Sequence, residues 1–218
     1  MVTSRLLAGH IAGVRHYIGD ETYSSRRYGS VLEGLEIFKD DTLRTPPGEE
    51  YHYSSYGWNL LGAVIEGAAG ENFLHFMCEN VFRPLGMRHT VADHTDSIIV
   101  GRSGFYSLTR HSAVINEPYV DNSYEWAGGG FLSTSEDLLI FAGAHLRGEF
   151  LKSQTVELLW TSQRTNDGEE TGYGIGWYVR DVGGWRLVYH TGSSVGGNCS
   201  LIIVPDAGGS RSSDNQLR

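Results

Sequence analysis

The sequence Tyr173-Gly174-Ile175-Gly176-Trp177-Tyr178-Val179 is the stretch at which the hydrophobic periodicity of the chain changes. Its large residues alternate along the chain, and this period of two is typical of a β-strand. Before it, apolar residues recur at helical spacing, and after it they alternate again or form a continuous run. Helices followed by strands, rather than alternating with them, predict an α+β fold.

We predict three antiparallel strands in a meander, at residues 173–179, 185–189 and 199–204. The sequence becomes abruptly polar from Asp206 onward, and we expect this tail to add neither a strand nor a docking helix to the sheet. The predicted sheet is thin for the amount of helix, so the core looks incomplete.

Helical periodicity and capping signals predict helices at 3–9, 30–38, 54–69, 73–81, 133–146 and 155–160. The fourth of these must stop before Pro84, because proline disfavours a helix at the preceding residue. Residues 86–125 show no regular pattern and are expected to be irregular.

These segments predict one partial domain over residues 1–205, followed by an aberrant polar tail at 206–218. The domain would consist of a mainly helical region, 1–165, and a sheet region, 166–205. We expect truncation at both ends, with a shift of reading frame near residue 208 as one hypothesis for the tail.

Composition excludes several classes of function. The 218 residues carry a formal net charge of −9, unlike the basic surface of a nucleic-acid binder. No apolar run reaches the roughly 18 residues of a membrane span. The nine histidines and two cysteines show no metal-ligand spacing, so we predict no metal and no cofactor. We expect His10, His16 and the other histidines outside the candidate site to be ordinary surface residues.

A tyrosine and two serines, Tyr53-Ser54-Ser55, stand at the predicted start of a helix. The helix N-terminus would ease formation of a Tyr53 phenolate. The alternative is that Tyr53 packs in the core while one serine caps the helix.

A second polar motif, His190-Thr191-Gly192, follows the predicted strand 185–189. His190 could bind a carboxylate or shuttle a proton, and an open strand edge could bind an extended substrate. The alternative is a strand-end histidine followed by a glycine turn. Three glycines, Gly128 to Gly130, could likewise cradle an anion or permit close backbone packing, and the lack of a following P-loop lysine favours packing.

The chain resembles the serine β-lactamase-like family, which includes class C β-lactamases, DD-peptidases, D-aminopeptidases and esterases. Six stretches in the family's order carry the resemblance, and they are Arg5 to Val14, Pro47 to Ser55, Asn59-Leu60-Leu61-Gly62, Pro84-Leu85-Gly86-Met87, Ala127 to Leu138, and His190-Thr191-Gly192. Within the family, the chain is most similar to mitochondrial members and their bacterial relatives, and this narrower resemblance rests on Gly13 to Tyr17 and Pro118 to Tyr124. The resemblance implies a β-lactamase/transpeptidase-like fold.

The resemblance also implies site residues. Tyr53 matches the family's proton-relaying tyrosine, and Ser55 stands where asparagine is usual. His190-Thr191-Gly192 matches the family's Lys-Thr-Gly motif in its His-Thr-Gly form. Thr191 and Gly192 would then contact substrate with Ser55, while Tyr53 and His190 would be catalytic.

The family's Ser-x-x-Lys, which provides the nucleophile, is absent from these 218 residues. The only lysines are Lys39 and Lys152, and glutamate stands three residues before each. In the family this segment lies N-terminal to the part that the chain matches.

The predicted function is therefore that of a partial serine hydrolase for amide, peptide or ester bonds, inactive by itself. The alternative is a non-catalytic remnant that binds a peptide or partner. Its partners would be a small molecule or peptide, with no nucleic acid or membrane span, and self-association stays open. The resemblance allows a mitochondrial or bacterial-envelope location, and the chain itself carries no targeting segment that would decide.

Overall fold

The structure, a computed structural model, describes residues 1–207 and 209–215. Helices precede a large antiparallel sheet, which confirms the predicted α+β class. The helices are α1 (Ser4–Ala8), α2 (Val31–Leu35), α3 (Ser55–Ala69), α4 (Phe73–Met77), α5 (Arg83–Leu85), α6 (Ser135–Arg147) and α7 (Ser153–Leu159). 3₁₀ turns occur at Glu21–Tyr23, Asn122–Glu125 and Pro205–Ala207.

The two longest helices begin and end where their capping residues predict. The Ser54 hydroxyl accepts a hydrogen bond from the Gly57 N–H, and α3 ends at Gly70, which adopts a left-handed φ of 70°. Helix α6 has the same arrangement, with Thr134 as N-cap and Gly148 at a φ of 64°. Local hydrogen bonds therefore determine these boundaries.

The prediction that helical structure stops before Pro84 is wrong. A π-helical segment, Cys78–Phe82, joins α4 to α5, and Pro84 lies within α5. Proline at the beginning of a new helical segment removes no hydrogen bond that the helix would otherwise make, so it is tolerated there.

Residues 86–125 contain more regular structure than expected. Strand β1 (Val91–Ala92) pairs with β4 (Phe131–Leu132), and β2 (Tyr106–Leu108) forms a hairpin with β3 (Val114–Asn116). These short strands were not predicted because two or three residues are too few to establish a period.

The main sheet has four antiparallel strands in the order β5 (Tyr178–Val182), β6 (Trp185–Ser194), β7 (Gly197–Val204) and β8 (Gly209–Asn215). The predicted three-stranded meander is thus one strand short, and the expectation that the polar tail adds no strand is wrong. Strand pairing uses backbone hydrogen bonds, which polar side chains do not prevent. The Ser212 hydroxyl also donates a 2.8 Å hydrogen bond to the Ser135 carbonyl at the start of α6.

Two strand boundaries also differ from the prediction. Residues 173–177 precede β5, joined to it by an isolated bridge between Tyr173 and Tyr178. Strand β6 continues through the His190-Thr191-Gly192 motif, which therefore lies inside the strand. The motif was mistaken for a strand end because the apolar part of this strand stops at Tyr189.

Two apolar clusters support the sheet and the helices that meet it. One packs α6 and α7 against the sheet and contains Ala142, Val156, Trp160, Trp177, Val188, Leu201 and Ile203. The other lies around α1 and α3 and contains Leu7, Ala12, Val14, Tyr28, Phe38, Tyr56 and Tyr124. The N-terminus of α3 and strand β6 meet between them.

Candidate functional site

Tyr53 lies directly before the N-cap of α3, in a turn held on both sides. The Ser54 hydroxyl, besides capping α3, donates a 2.6 Å hydrogen bond to the Arg15 carbonyl. Ser54 and Ser55 are buried. Ser54 is therefore the cap, as the alternative interpretation predicts, and Tyr53 directly precedes it.

Two histidines contact the same turn. The Ser54 N–H donates to His10 Nδ1 at 3.0 Å, and the Ser55 N–H donates to His16 Nδ1 at 3.2 Å. The His10 ring lies 4.2 Å from the Tyr53 ring between centroids. His10 is only 2% exposed, so the expectation that it is an ordinary surface histidine is wrong.

Strand β6 brings His190 close to Tyr53. Its ring centroid is 6.1 Å from that of Tyr53, and its Nε2 atom is 2.9 Å from the Tyr173 hydroxyl. Thr191 is exposed, and Gly192 is partly exposed beside it. The structure thus brings together all five predicted site residues, on the N-terminus of α3 and on β6.

One edge of β6 is open at the motif. Strand β5 pairs with β6 only as far as the pair Tyr178 and Tyr189. Within residues 1–207 and 209–215, no strand pairs with the β5-facing side of residues 190–194. An extended substrate could hydrogen-bond to this edge as an added strand.

Burial controls the protonation of the site. It lowers the pKa of His10 to about 3, and repulsion from His190 and His16 acts in the same direction. Burial also lowers the pKa of His16, against the attraction of Glu21. It lowers the pKa of His190 too, against a hydrogen bond with the Thr191 backbone. All three imidazoles are therefore neutral near pH 7.

Burial raises the pKa of Tyr53, with Tyr178 acting in the same direction and a hydrogen bond with Ser55 opposing it. Desolvation therefore opposes the formation of a Tyr53 phenolate, which the helix N-terminus was expected to favour. A nearby cation would be needed to reverse the shift.

A buried acid lies behind Ser55. The Tyr17 hydroxyl donates a hydrogen bond to the Glu125 carboxylate. Burial raises the pKa of Tyr17, and a hydrogen bond with Ser55 opposes this shift. Burial raises the pKa of Glu125 to about 7, although hydrogen bonds with Tyr17 and Tyr124 oppose the shift. Glu125 therefore titrates in the neutral range.

The three-glycine segment packs against the same helix. The N–H groups of Gly128, Gly129 and Gly130 donate to the Glu125 carbonyl, and Gly128 N–H also donates to Asn59 Oδ1. A Cβ atom at Gly128 would lie 2.8 Å from the Ser55 carbonyl oxygen. These glycines permit close approach to α3, as the packing interpretation predicts.

Sequence reasoning missed His10, His16, Tyr17, Tyr173 and Glu125 as neighbours of the site. His10 and His16 lie in stretches that carry the family resemblance, and this was the only indication available. Their partners in α3 are 44 and 39 residues away in the chain, beyond the reach of any local pattern.

No metal site accompanies this arrangement in the described parts of the chain, where no group of three or more His, Cys, Asp or Glu residues could hold an ion. None of the helices described has both the length and the apolar character needed to cross a bilayer. Neither Cys78 nor Cys199 forms a disulfide within the described residues.

The Beta-lactamase family matches residues 1–210. The chain belongs to the Beta-lactamase family. It is 33% identical over 223 residues to the mouse (Mus musculus) protein "Serine beta-lactamase-like protein LACTB, mitochondrial", covering 90% of this chain and 40% of the mouse protein. The family resemblance found in the sequence is thereby confirmed, and the chain spans about 40% of this relative.

Solved structures show the same fold. A D-stereospecific amidohydrolase from Streptomyces sp. has a TM-score of 0.81 and 23% identity, covering 99% of this chain and 68% of that one. An octameric penicillin-binding protein homologue from Pyrococcus abyssi has a TM-score of 0.79 and 21% identity, covering 97% of this chain and 51% of that one. The transpeptidase-like fold of this Beta-lactamase family chain is thus confirmed.

Proposed function

We propose that this chain is part of a serine hydrolase that cleaves amide, peptide or ester bonds through an acyl-enzyme. The observation that carries the proposal is the 6.1 Å distance between the Tyr53 and His190 ring centroids, beside an open strand edge. The family's nucleophilic serine and its lysine would come from outside these 218 residues.

Each site residue has a role in this proposal. The serine hydroxyl attacks the substrate carbonyl carbon, its proton passes through Tyr53 to the leaving group, and water later hydrolyses the acyl ester. Neutral His190 would bind a substrate carboxylate by a hydrogen bond, rather than a full positive charge, after exchanging its present contact with the Tyr173 hydroxyl or the Thr191 backbone. Thr191 and Gly192 line the acyl group. Ser55 stands where the family has an asparagine, and its buried hydroxyl, which hydrogen-bonds with Tyr53 and Tyr17, would contact the substrate by exchanging one of these bonds.

Without the lysine, burial keeps Tyr53 protonated, which supports the further proposal that the 218 residues alone form no acyl-enzyme. The open edge at residues 190–194 also supports the alternative of a non-catalytic peptide-binding chain. Self-association remains a prediction.

The test is covalent labelling by a fluorescent fluorophosphonate and a fluorescent penicillin, detected by intact mass. We expect no label on the 218-residue chain. A longer form, with an in-frame Ser-x-x-Lys encoded upstream, should be labelled on that serine. Tyr53→Phe should slow this acylation by about 10²- to 10⁴-fold, the usual contribution of a proton-transferring group.

Tyr119→Phe, which changes a tyrosine that is 62% exposed, is the matched control and should leave the rate unchanged. Stoichiometric label on a serine of the 218-residue chain would overturn the account of the nucleophile. Reversible peptide binding, with no acylation of the longer form, would favour the non-catalytic alternative.

A further inference from the structure

We propose that His10 and His16 are positioning residues for Tyr53. Their Nδ1 atoms hold the backbone of residues 53–55, and each does so only as the neutral tautomer with hydrogen on Nε2. The proposal rests on the proposed role of Tyr53 in proton transfer and names two residues on which that role depends.

The histidines complete the cap of α3. The first N–H groups of a helix have no partner within it, and the Ser54 hydroxyl satisfies only that of Gly57. His16 Nδ1 accepts from the Ser55 N–H, and His10 Nδ1 accepts from the Ser54 N–H. Both backbone groups that directly follow Tyr53 are therefore held by imidazole nitrogens.

The rings also contact Tyr53 itself. The His10 ring is tilted by 37° at a centroid distance of 4.2 Å, and the His16 ring is perpendicular at 5.5 Å. A shift of either imidazole would move both the backbone and the phenol ring. The 6.1 Å separation between Tyr53 and His190 depends on these contacts.

His10 is held in place at a cost. Its Nε2 atom is buried with no hydrogen-bond partner among the described residues, and its φ of 60° lies in the left-handed region. Buried unpaired polar atoms and left-handed backbone at a residue other than glycine are both unfavourable. The hydrogen bond that Nδ1 accepts from the Ser54 N–H must therefore offset both the unpaired Nε2 atom and the left-handed backbone.

The surroundings favour the neutral form of both rings. His10 faces His16 and His190, whose charges would repel its proton, and the Tyr51, Tyr53 and Tyr173 rings. His16 faces the Tyr17 and Tyr53 rings, and only Glu21 favours its protonation. Protonation would place a donor against the Ser54 or Ser55 N–H and release the turn.

The test uses nuclear magnetic resonance of the 218-residue chain. The imidazole ¹⁵N shifts should show the Nε2–H tautomer for His10 and His16 near neutral pH. His145 is the internal contrast, because its Nδ1 lies 2.8 Å from the Phe141 carbonyl and must carry the hydrogen. Hydrogen on Nδ1 of His10 or His16 would overturn the proposal for that residue in the wild-type chain.

Paired substitutions test the positioning. The Asn side-chain oxygen can replace Nδ1 of histidine, whereas Gln places its polar atoms near Nε2. His16→Gln should therefore speed Ser55 amide exchange about 10- to 100-fold and shift the Tyr53 ring carbon, while His16→Asn stays within about threefold of wild type. His10→Asn and His10→Gly both accept the left-handed φ, and only Asn should preserve Ser54 protection.

His145→Gln, a change at a buried histidine in the sheet-side core, should leave Ser54, Ser55 and Tyr53 unchanged. Equal effects of His16→Gln and His16→Asn on the Tyr53 resonance would overturn the proposal. The amide resonances of Leu201 and Ile203 show whether a variant folds. If it does not, the tautomers of His10 and His16 in the wild-type chain still test the proposal. A correctly held turn in a longer form that is not acylated would contradict only the proposed hydrolase function.

Discussion

The two sides of the candidate site are stabilised by different interactions. On the α3 side, Tyr53 is positioned by hydrogen bonds between side chains and backbone, from His10, His16 and Arg15. On the β6 side, His190 is positioned by strand pairing above an apolar cluster that includes Trp177. Polar contacts are directional and apolar contacts are not, so the α3 side fixes orientation while the β6 side provides a stable platform.

This difference predicts where substitutions are costly. On the sheet side, the loss of buried volume should dominate. On the α3 side, the loss of a single acceptor or a change of protonation should be costly although little volume changes. The following four predictions test this comparison, from the largest effect to the smallest.

Trp177→Ala should lower the free energy of unfolding by about 3 to 5 kcal/mol, because it leaves a cavity under the sheet. Trp177 is 7% exposed and packs with Val188, Leu201 and Ile203. Denaturant unfolding measures the change. Trp185→Ala, at a residue 51% exposed on the same sheet, should change stability by at most about 0.5 kcal/mol. Equal losses would contradict the assignment of this core.

Asn59→Ala should lower the free energy of unfolding by about 3 kcal/mol, although it removes only a small side chain. The Asn59 amide donates to the Tyr124 carbonyl at 2.6 Å and accepts from the Gly128 N–H at 3.0 Å. The Tyr124 carbonyl would be left buried without this partner, and the Gly128 N–H would keep only its bond to the Glu125 carbonyl. Asn80→Ala, an exposed control with a 3.1 Å bond to the Phe76 carbonyl, should have little effect. Equal losses of stability in Asn59→Ala and Asn80→Ala would show that the hydrogen bonds of Asn59 do not stabilise the α3 side.

Glu125→Gln should change the pH dependence of stability. The raised pKa of Glu125, about 7, means that the folded chain favours the protonated acid. Its contribution to stability is complete below the unfolded pKa of about 4.5 and is lost as the pH rises through about 7. Gln cannot ionise, so the variant should be more stable than wild type by about 3 kcal/mol at about pH 8 and equal to it at about pH 4.

Urea unfolding across this pH range measures the difference. Glu169→Gln, at an exposed carboxylate, is the control and should follow the wild-type pH profile. A wild-type chain that gains stability relative to Glu125→Gln above pH 7 would refute the buried-acid interpretation.

Ser212→Ala should lower the free energy of unfolding by about 1 kcal/mol, the usual value of one hydrogen bond. The lost contact joins β8 to the first residue of α6. Ser193→Ala, at an exposed position of the same sheet, is the control and should be neutral within about 0.5 kcal/mol. A neutral Ser212→Ala would indicate that backbone pairing alone holds β8.

The same division explains how much could be predicted from the sequence. The capping residues predicted the start of α3 correctly and that of α6 to within one residue, because a cap is a contact between residues three positions apart. Tyr53 and His190 were predicted through the family resemblance, and neither local motif favoured a functional site by itself. Their roles stay predictions until acylation is measured.

Strand β8 was excluded because its side chains are polar, whereas its pairing depends on the backbone of β7. Hydrophobic periodicity detects only strands that bury side chains on one face. The π-helical connection to α5 was missed because proline was expected to end the helix. Proline lacks a backbone N–H, but near the first position of α5 no such donor is needed.

The sequence by itself determined the order of helices and strands, the capped ends of α3 and α6, and family membership, because each depends on neighbouring residues or on motifs in a fixed order. Only the tertiary structure decided that His10 and His16 hold the turn beside Tyr53 and that Tyr17 binds Glu125, 108 residues away. Those contacts arise when α3, the glycine segment and β6 pack together. Burial then sets the pKa of each group, and burial is a property of the folded chain alone.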